Sequence, residues 1–218
     1  MFQGQQKDNY FDESDTGIGN RQRNLLIVGV DHLNSPEPTL DSVWLLISIP
    51  GIESLTLIPI YPTIEGGTTV ADTSLAQIFA LTGEKIPKNE FLDRLGQQIW
   101  WDNYLLFDQK GFASMVDTLI KVNDESIDLD ISSILTPFPP AWQDPDSALN
   151  HQARLLEIVC LQASKLTQPT EIRNFIDLIK PKIHTDLDWE EASQRWSFER
   201  QDQFQFKCEF PTLTLGNP

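Results

Sequence analysis

Basic residues are scarce in this chain. Sixteen Lys and Arg stand against 32 Asp and Glu, a formal net charge of −16, and none of the 16 falls between Asn24 and Glu84. So acidic a surface opposes binding to nucleic acid or to anionic lipid through charge alone, and a polyphosphate ligand would need a local exception. Cysteine is almost as rare. Cys160 and Cys208 are the only two, lie far apart and match no metal-ligand spacing. They are expected to be buried thiols, with a disulfide suited to an exported protein as the alternative. No apolar run approaches the ~20 residues a membrane-spanning helix needs, so no transmembrane segment is expected. The opening stretch MFQGQQKDNYFDESDTGIGN also lacks the apolar region of a signal peptide. That leaves two expectations, a chain soluble as it stands or one whose anchor was removed upstream of Met1.

The length of 218 residues suits one domain with a sizeable core. Residues 1–22, rich in Gln, Asp, Asn and Gly, carry no periodic apolar pattern and are expected to form a flexible polar leader, leaving 23–218 as a single domain. The glycines of TGIGN precede the first strand, the wrong order for a phosphate or dinucleotide loop.

Leu25 to Val30, Val43 to Ile49 and Leu55 to Ile60 are short, nearly continuous Ile/Leu/Val runs, as in strands covered on both faces. The PGIES link makes the second and third a hairpin. Helices are expected at Asp72 to Leu81, where an acidic residue starts the pattern and Gly83 follows it, and at Lys88 to Leu95. Ile99 to Phe107 reads as an aromatic-rich strand that sends Trp100 and Trp101 to opposite faces. Gly111 to Val122 is amphipathic at helical spacing. The acidic run DESIDLDISS reads as a solvated edge, and the prolines of ILTPFPPAWQDPD exclude regular structure there. Ser147 to Leu166 is the longest helix, followed by Pro169 to Ile179, Leu187 to Arg195 and a strand-like alternation at Gln203 to Phe210. This alternation predicts an α/β fold, a three-layer α-β-α domain with a mixed central sheet.

Two acids mark the candidate site. Asp31 ends the first strand and Asp41 stands just before the apolar run of the second, so the two carboxylates are expected together at the ends of adjacent strands. A hard cation or a phosphate would be met there, yet the basic residues that a phosphate requires are missing from the same stretch.

The motifs around these acids resemble the LytR-CpsA-Psr family of bacterial cell-envelope proteins. Gly29-Val30-Asp31 resembles its Gly-x-Asp strand end. Thr39-Leu40-Asp41 falls where the family has Arg-x-Asp, and Ile60-Tyr61-Pro62-Thr63 where it has Pro-Arg-Asp. The stretches Gly96 to Tyr104 and Gly111-Phe112-Ala113-Ser114-Met115-Val116-Asp117 resemble its aromatic strand and the helix behind it. The similarity runs roughly from Asn24 to Ala192.

The resemblance implies transfer of a glycopolymer from a polyprenyl pyrophosphate to peptidoglycan, with arginines on the pyrophosphate, magnesium on two aspartates and an apolar pocket for the lipid. Carried over, it makes Asp31 and Asp41 the metal aspartates, with Mg²⁺ the cofactor implied. The cationic positions fall instead at Thr39, Pro62, Ser74, Ala148 and His151. Gln152, His151 and the nearby Arg154 are the remnants of the phosphate site. Trp44, Phe79, Trp101 and Leu156 are the lipid-pocket candidates.

The expected function is therefore a noncatalytic LytR-CpsA-Psr-like domain on the extracytoplasmic face of the cell envelope, binding a polyprenyl-type lipid or a protein partner and no nucleic acid. Two alternatives stand beside it: a divergent phosphotransferase that works with Asp31, Asp41, magnesium, His151 and Arg154, and an acidic protein-interaction module. Each residue has a plainer role available. Asp31 and Asp41 are equally read as strand-end residues, His151 as an ordinary helix residue, and Trp142, Trp189 and Trp196 as core or interface anchors.

Overall fold

The computed structural model describes residues 22–49, 52, 54–122, 140–199 and 207–211. The polar leader, the acidic run, Pro137 and Pro139 lie outside the described residues. Among the described residues, a six-stranded mixed sheet organises the chain, in the order β7, β6, β1, β2, β3, β8. Its central strands are β1 (Arg23–Val30), β2 (Leu40–Ser48) and β3 (Ser54–Tyr61). The meander β1–β2–β3 is antiparallel, as the short links require, and β6 (Asn103–Asp108) lies parallel to β1. The edges are β7 (His184–Thr185), antiparallel to β6, and β8 (Lys207–Glu209), parallel to β3. A separate hairpin, β4 (Thr63–Glu65) and β5 (Thr68–Val70), turns through Gly66 and Gly67, both at positive φ, which a two-residue turn of this hand requires.

Among the described residues, six α-helices join these strands: α1 (Thr73–Ile78), α2 (Asn89–Gly96), α3 (Gln109–Val122), α4 (Pro145–Ala163), α5 (Pro169–Ile179) and α6 (Trp189–Glu199). Strand alternation divides the core. Leu26, Val28 and Val30 of β1 pack with Leu75 of α1 and with Phe91 and Leu95 of α2, whereas Ile27 packs with Trp44, Phe112 and Val116 and with Leu149 and Ala153 of α4. The expected α/β architecture with helices on both faces of a mixed sheet is what forms. A third cluster ties Leu119 to Ile172, Phe175, Ile176 and Ile179 of α5, with Trp189 and Trp196 packed against it. These two tryptophans are core anchors as expected, but Trp142 is 57% exposed.

Several boundaries differ from the sequence reading for identifiable reasons. Helix α1 stops at Ile78 instead of Leu81, because Phe79 turns extended and the following segment closes on itself. Thr82 N–H donates to Ile86 C=O at 2.8 Å, and Lys88 N–H donates to Ala80 C=O at 2.9 Å. Strand β6 starts at Asn103, so Trp100 and Trp101 precede it and are not a strand pair. The chain there is held to the start of β1 instead, with Asn24 N–H donating to Asp102 Oδ2 at 2.9 Å and Asn24 Nδ2 to the Trp100 carbonyl at 3.0 Å. Helix α4 begins early because Asp144 accepts from Ser147 N–H at 3.1 Å and Pro145 occupies the first turn. Helix α6 begins at Trp189, where Asp188 accepts from the Glu190 and Glu191 N–H groups.

The expectation of two free thiols is overturned. Cys160 of α4 and Cys208 of β8 form a disulfide across a sequence separation of 48. Cys160 is buried, and Cys208 packs against the cluster that α4 helps to form.

Candidate functional site

Parallel β1 and β6 end side by side, since Val30 is in register with Asp108. In open α/β sheets the space beyond the carboxyl ends of parallel strands is where ligands collect. Asp31 follows the end of β1, Gln109 follows the end of β6 and opens α3, and antiparallel β2 begins at the same end, with Asp41 as its second residue. Asp31 Oδ1 accepts from Thr39 N–H at 2.8 Å and from His32 N–H at 2.6 Å, closing the loop between β1 and β2.

Asp41 is positioned by an irregularity in that pairing. Gly29 pairs with Ser42 and Val30 with Leu40, so Asp41 is an extra residue with no partner across the ladder. An insertion of this kind re-aims a side chain. Here it places Asp41 and Ser42 on the same cleft. A Cβ at Gly29 would come within 2.3 Å of Ser42 Oγ, so a larger residue there would make that hydroxyl rotate away.

The cleft lies between the sheet, α3 and α4 and has about 60 Å³ of interior space. Asp41, Ser42, Gln109 and Gln152 supply its polar groups, and Ile27, Trp44, Phe107, Phe112, Leu155 and Leu156 its apolar walls. Among the described residues, no Lys, Arg or His lines it. Asp41 is only 9% exposed. Burial, and next the charge of Asp31, push its carboxyl up to about 6, against the opposing pull of Gln109 hydrogen bonding and of His32. Its Oδ2 is buried and has no hydrogen-bond partner among the described residues. Tyr61 is also raised, by burial and then by the Asp41 and Asp72 charges.

Gln152 has both ends committed. Its Oε1 accepts from Trp44 Nε1 at 3.0 Å, and its Nε2 donates to the Asp41 carbonyl at 2.9 Å. It therefore fixes the Trp44 wall and the Asp41 backbone together. His151 is half-buried and Arg154 exposed, and neither lines the cleft. Of the lipid-pocket candidates, Trp44 and Leu156 do line it. Phe79 packs edge-on against Phe91 at 5.0 Å, and Trp101 packs against the same cluster on the other face of the sheet. Where a family cation would stand, Ala148 is fully buried and Ser74 Oγ donates to Asp72 Oδ1 at 2.6 Å.

Asp31 and Asp41 interact electrostatically, as their places on adjacent strands predicted. A hard divalent cation commonly takes one or two carboxylates and completes its shell from water and substrate, and the unpartnered Asp41 Oδ2 fits that role. No group of three or more His, Cys, Asp or Glu forms a metal cluster among the described residues. Sequence reading missed Gln109, Ser42, Phe112 and Leu155. The signal for Gln109 was its position directly after a strand that runs parallel to β1.

No family model matches this sequence, and neither does any curated protein. Solved structures do match. Bacillus subtilis TagV aligns at a TM-score of 0.60 and 15% identity, over 88% of this chain and 84% of its own. The transcriptional regulator yvhJ from Bacillus subtilis aligns at 0.60 and 13%, over 88% and 83%. TagT bound to LI-WTA aligns at 0.54 and 12%, over 86% and 76%. These neighbours have the LytR-CpsA-Psr fold. At these identities the likeness is one of fold, and this chain is built on the LytR-CpsA-Psr architecture that its motifs resemble.

Proposed function

We propose that residues 23–218 form a single noncatalytic LytR-CpsA-Psr-like domain of the bacterial cell envelope, on the extracytoplasmic side, whose cleft receives the apolar tail of a polyprenyl-type lipid. The observation that carries this is the cleft lining, in which apolar walls surround a buried carboxylate and no cation stands among the described residues. Removing a charged partner from a buried phosphate site costs on the order of 2–5 kcal/mol. A phosphate charge about 5 Å from ionised Asp41 would also be repelled by about 3 kcal/mol at an effective dielectric near 20. Pyrophosphate binding is therefore opposed twice, while the walls for an apolar tail are kept.

Two further observations agree. The Cys160–Cys208 disulfide suits an oxidising compartment. TagT, which shares the fold, is bound to LI-WTA, which supports a lipid-linked ligand class. The regulator name carried by yvhJ has no support in the charge of this chain, since −16 opposes nucleic acid. No described helix is long and apolar enough to cross a membrane.

A second reading, a divergent phosphotransferase, is favoured by one observation, the Asp31–Asp41 pair. These residues would hold Mg²⁺, which when bound would offset charge on a diphosphate. A transfer assay with a polyprenyl-linked glycan, a peptidoglycan acceptor and magnesium separates the two. No turnover is expected, and turnover abolished by Asp41→Ala would establish the enzyme instead. Native mass spectrometry with added polyprenol tests the lipid directly. Failure to bind it would leave a protein-interaction role.

A further inference from the structure

The proposed lipid cleft leaves open what sits at the head of the ligand, and the following inference rests on that proposal. The polar end of the cleft is built around a single charge. Asp41 is inserted between two regular pairs of the β1–β2 ladder and turned toward the cleft, is nine-tenths buried, and keeps Oδ2 without a hydrogen-bond partner among the described residues. Its neighbours cannot balance it. Gln152 spends its amide on Trp44 and on the Asp41 backbone, Gln109 is neutral, and Asp31 adds a second negative charge nearby. Among the described residues, His32 is the one basic group acting on Asp41, and it lies outside the cleft lining.

We propose that this cleft selects an amphiphile with a cationic, hydrogen-bond-donating head, an amine or ammonium at the end of an apolar chain, and that Asp41 binds the head. The ligand then brings the positive charge that the protein omits. Charge-assisted hydrogen bonds of an ammonium to a carboxylate are the strong kind, and their strength grows where water is excluded. Ile27, Trp44, Phe112, Leu155 and Leu156 take the chain where it enters the cleft. Anionic heads are turned away by the same carboxylate, and the net charge of −16 draws cations toward the surface.

Three probes of equal chain length decide this: decylamine, decanol and decyl phosphate, titrated into the whole chain below their aggregation limits. The titrations follow tryptophan fluorescence or heat, at near-physiological salt with EDTA present. Decylamine is expected to bind about tenfold more tightly than decanol, with decyl phosphate weakest. Asp41→Asn should abolish the amine preference. Leu156→Trp, which fills the cleft, should abolish binding of all three. Decyl phosphate binding as well as decylamine would overturn the head-group proposal while leaving the lipid cleft standing. An amine preference that survives Asp41→Asn, or amine binding that survives Leu156→Trp, would also overturn it, by tracing attraction to the general surface charge. Binding of none of the probes, nor of polyprenol, would remove the lipid cleft and the head-group proposal together.

Discussion

The two faces of the sheet are made from the same strands and differ in how they are closed. On the α1–α2 face, Leu26, Val28, Val30, Tyr61, Phe91 and Leu95 are buried in one cluster, and Phe79 stacks edge-on against Phe91. On the α3–α4 face the packing stops short, and a cleft opens between Trp44, Phe112 and Leu156, with Asp41 and two amides at its polar end. Strand alternation supplies both faces with apolar side chains, so composition is not what separates them. The insertion at Asp41 is. It brings a carboxylate to the α3–α4 face, where close packing against it would be costly without a partner.

This contrast can be broken in graded steps. Phe91 is fully buried, so Phe91→Ala should destabilise the chain by about 5 kcal/mol, the upper end of the range for such a truncation. Urea unfolding checks this, and Leu156→Ala on the cleft side should cost clearly less. Breaking the Cys160–Cys208 link frees β8 from α4. For a loop of 48 residues the chain-entropy model gives about 4 kcal/mol, seen as a lower unfolding midpoint after reduction or in Cys208→Ser.

A third step is pH. Because Asp41 is raised from 3.8 to about 6, the native state between those values holds a proton that the unfolded chain has released. Stability is therefore highest below about pH 4 on account of this group, falls as pH rises toward about 6, and is level above that. The full change is about 3 kcal/mol, and Asp41→Asn should flatten it. Unfolding midpoints from pH 4 to 8 in EDTA measure both. The smallest step is Gln152→Ala, which strands the Trp44 Nε1 donor and the Asp41 carbonyl. It should cost about 2 kcal/mol and shift the Trp44 fluorescence, as the indole loses the amide oxygen it donates to.

Much of this is legible in the chain itself. The Ile/Leu/Val runs locate the three central strands, and the meander follows from their short links. The helix expected at about Pro169 to Ile179 forms there, with Pro169 in its first turn and Glu171 accepting from the Gln168 N–H at its start. Boundaries governed by distant partners are misplaced. Trp100 and Trp101 look like strand residues by type, but Asn24 and Asp102 hold that segment to β1 and delay the ladder until Asn103. Aromatic character groups Phe79 and Trp101 with Trp44, and only the direction of each backbone assigns them to the other face.

The sequence alone determined the α/β alternation, the acidic charge, the two strand-end carboxylates and the absence of cations from Asn24 to Glu84, because each is local or compositional. The tertiary structure decided that Asp41 is an inserted residue turned into a cleft, that Gln152 is committed to Trp44 and to the Asp41 backbone, and that Cys160 meets Cys208. Those facts depend on register and on pairings between residues about 50 to 110 positions apart. Local propensity carries no trace of them, since they form only when the sheet and α4 are packed together.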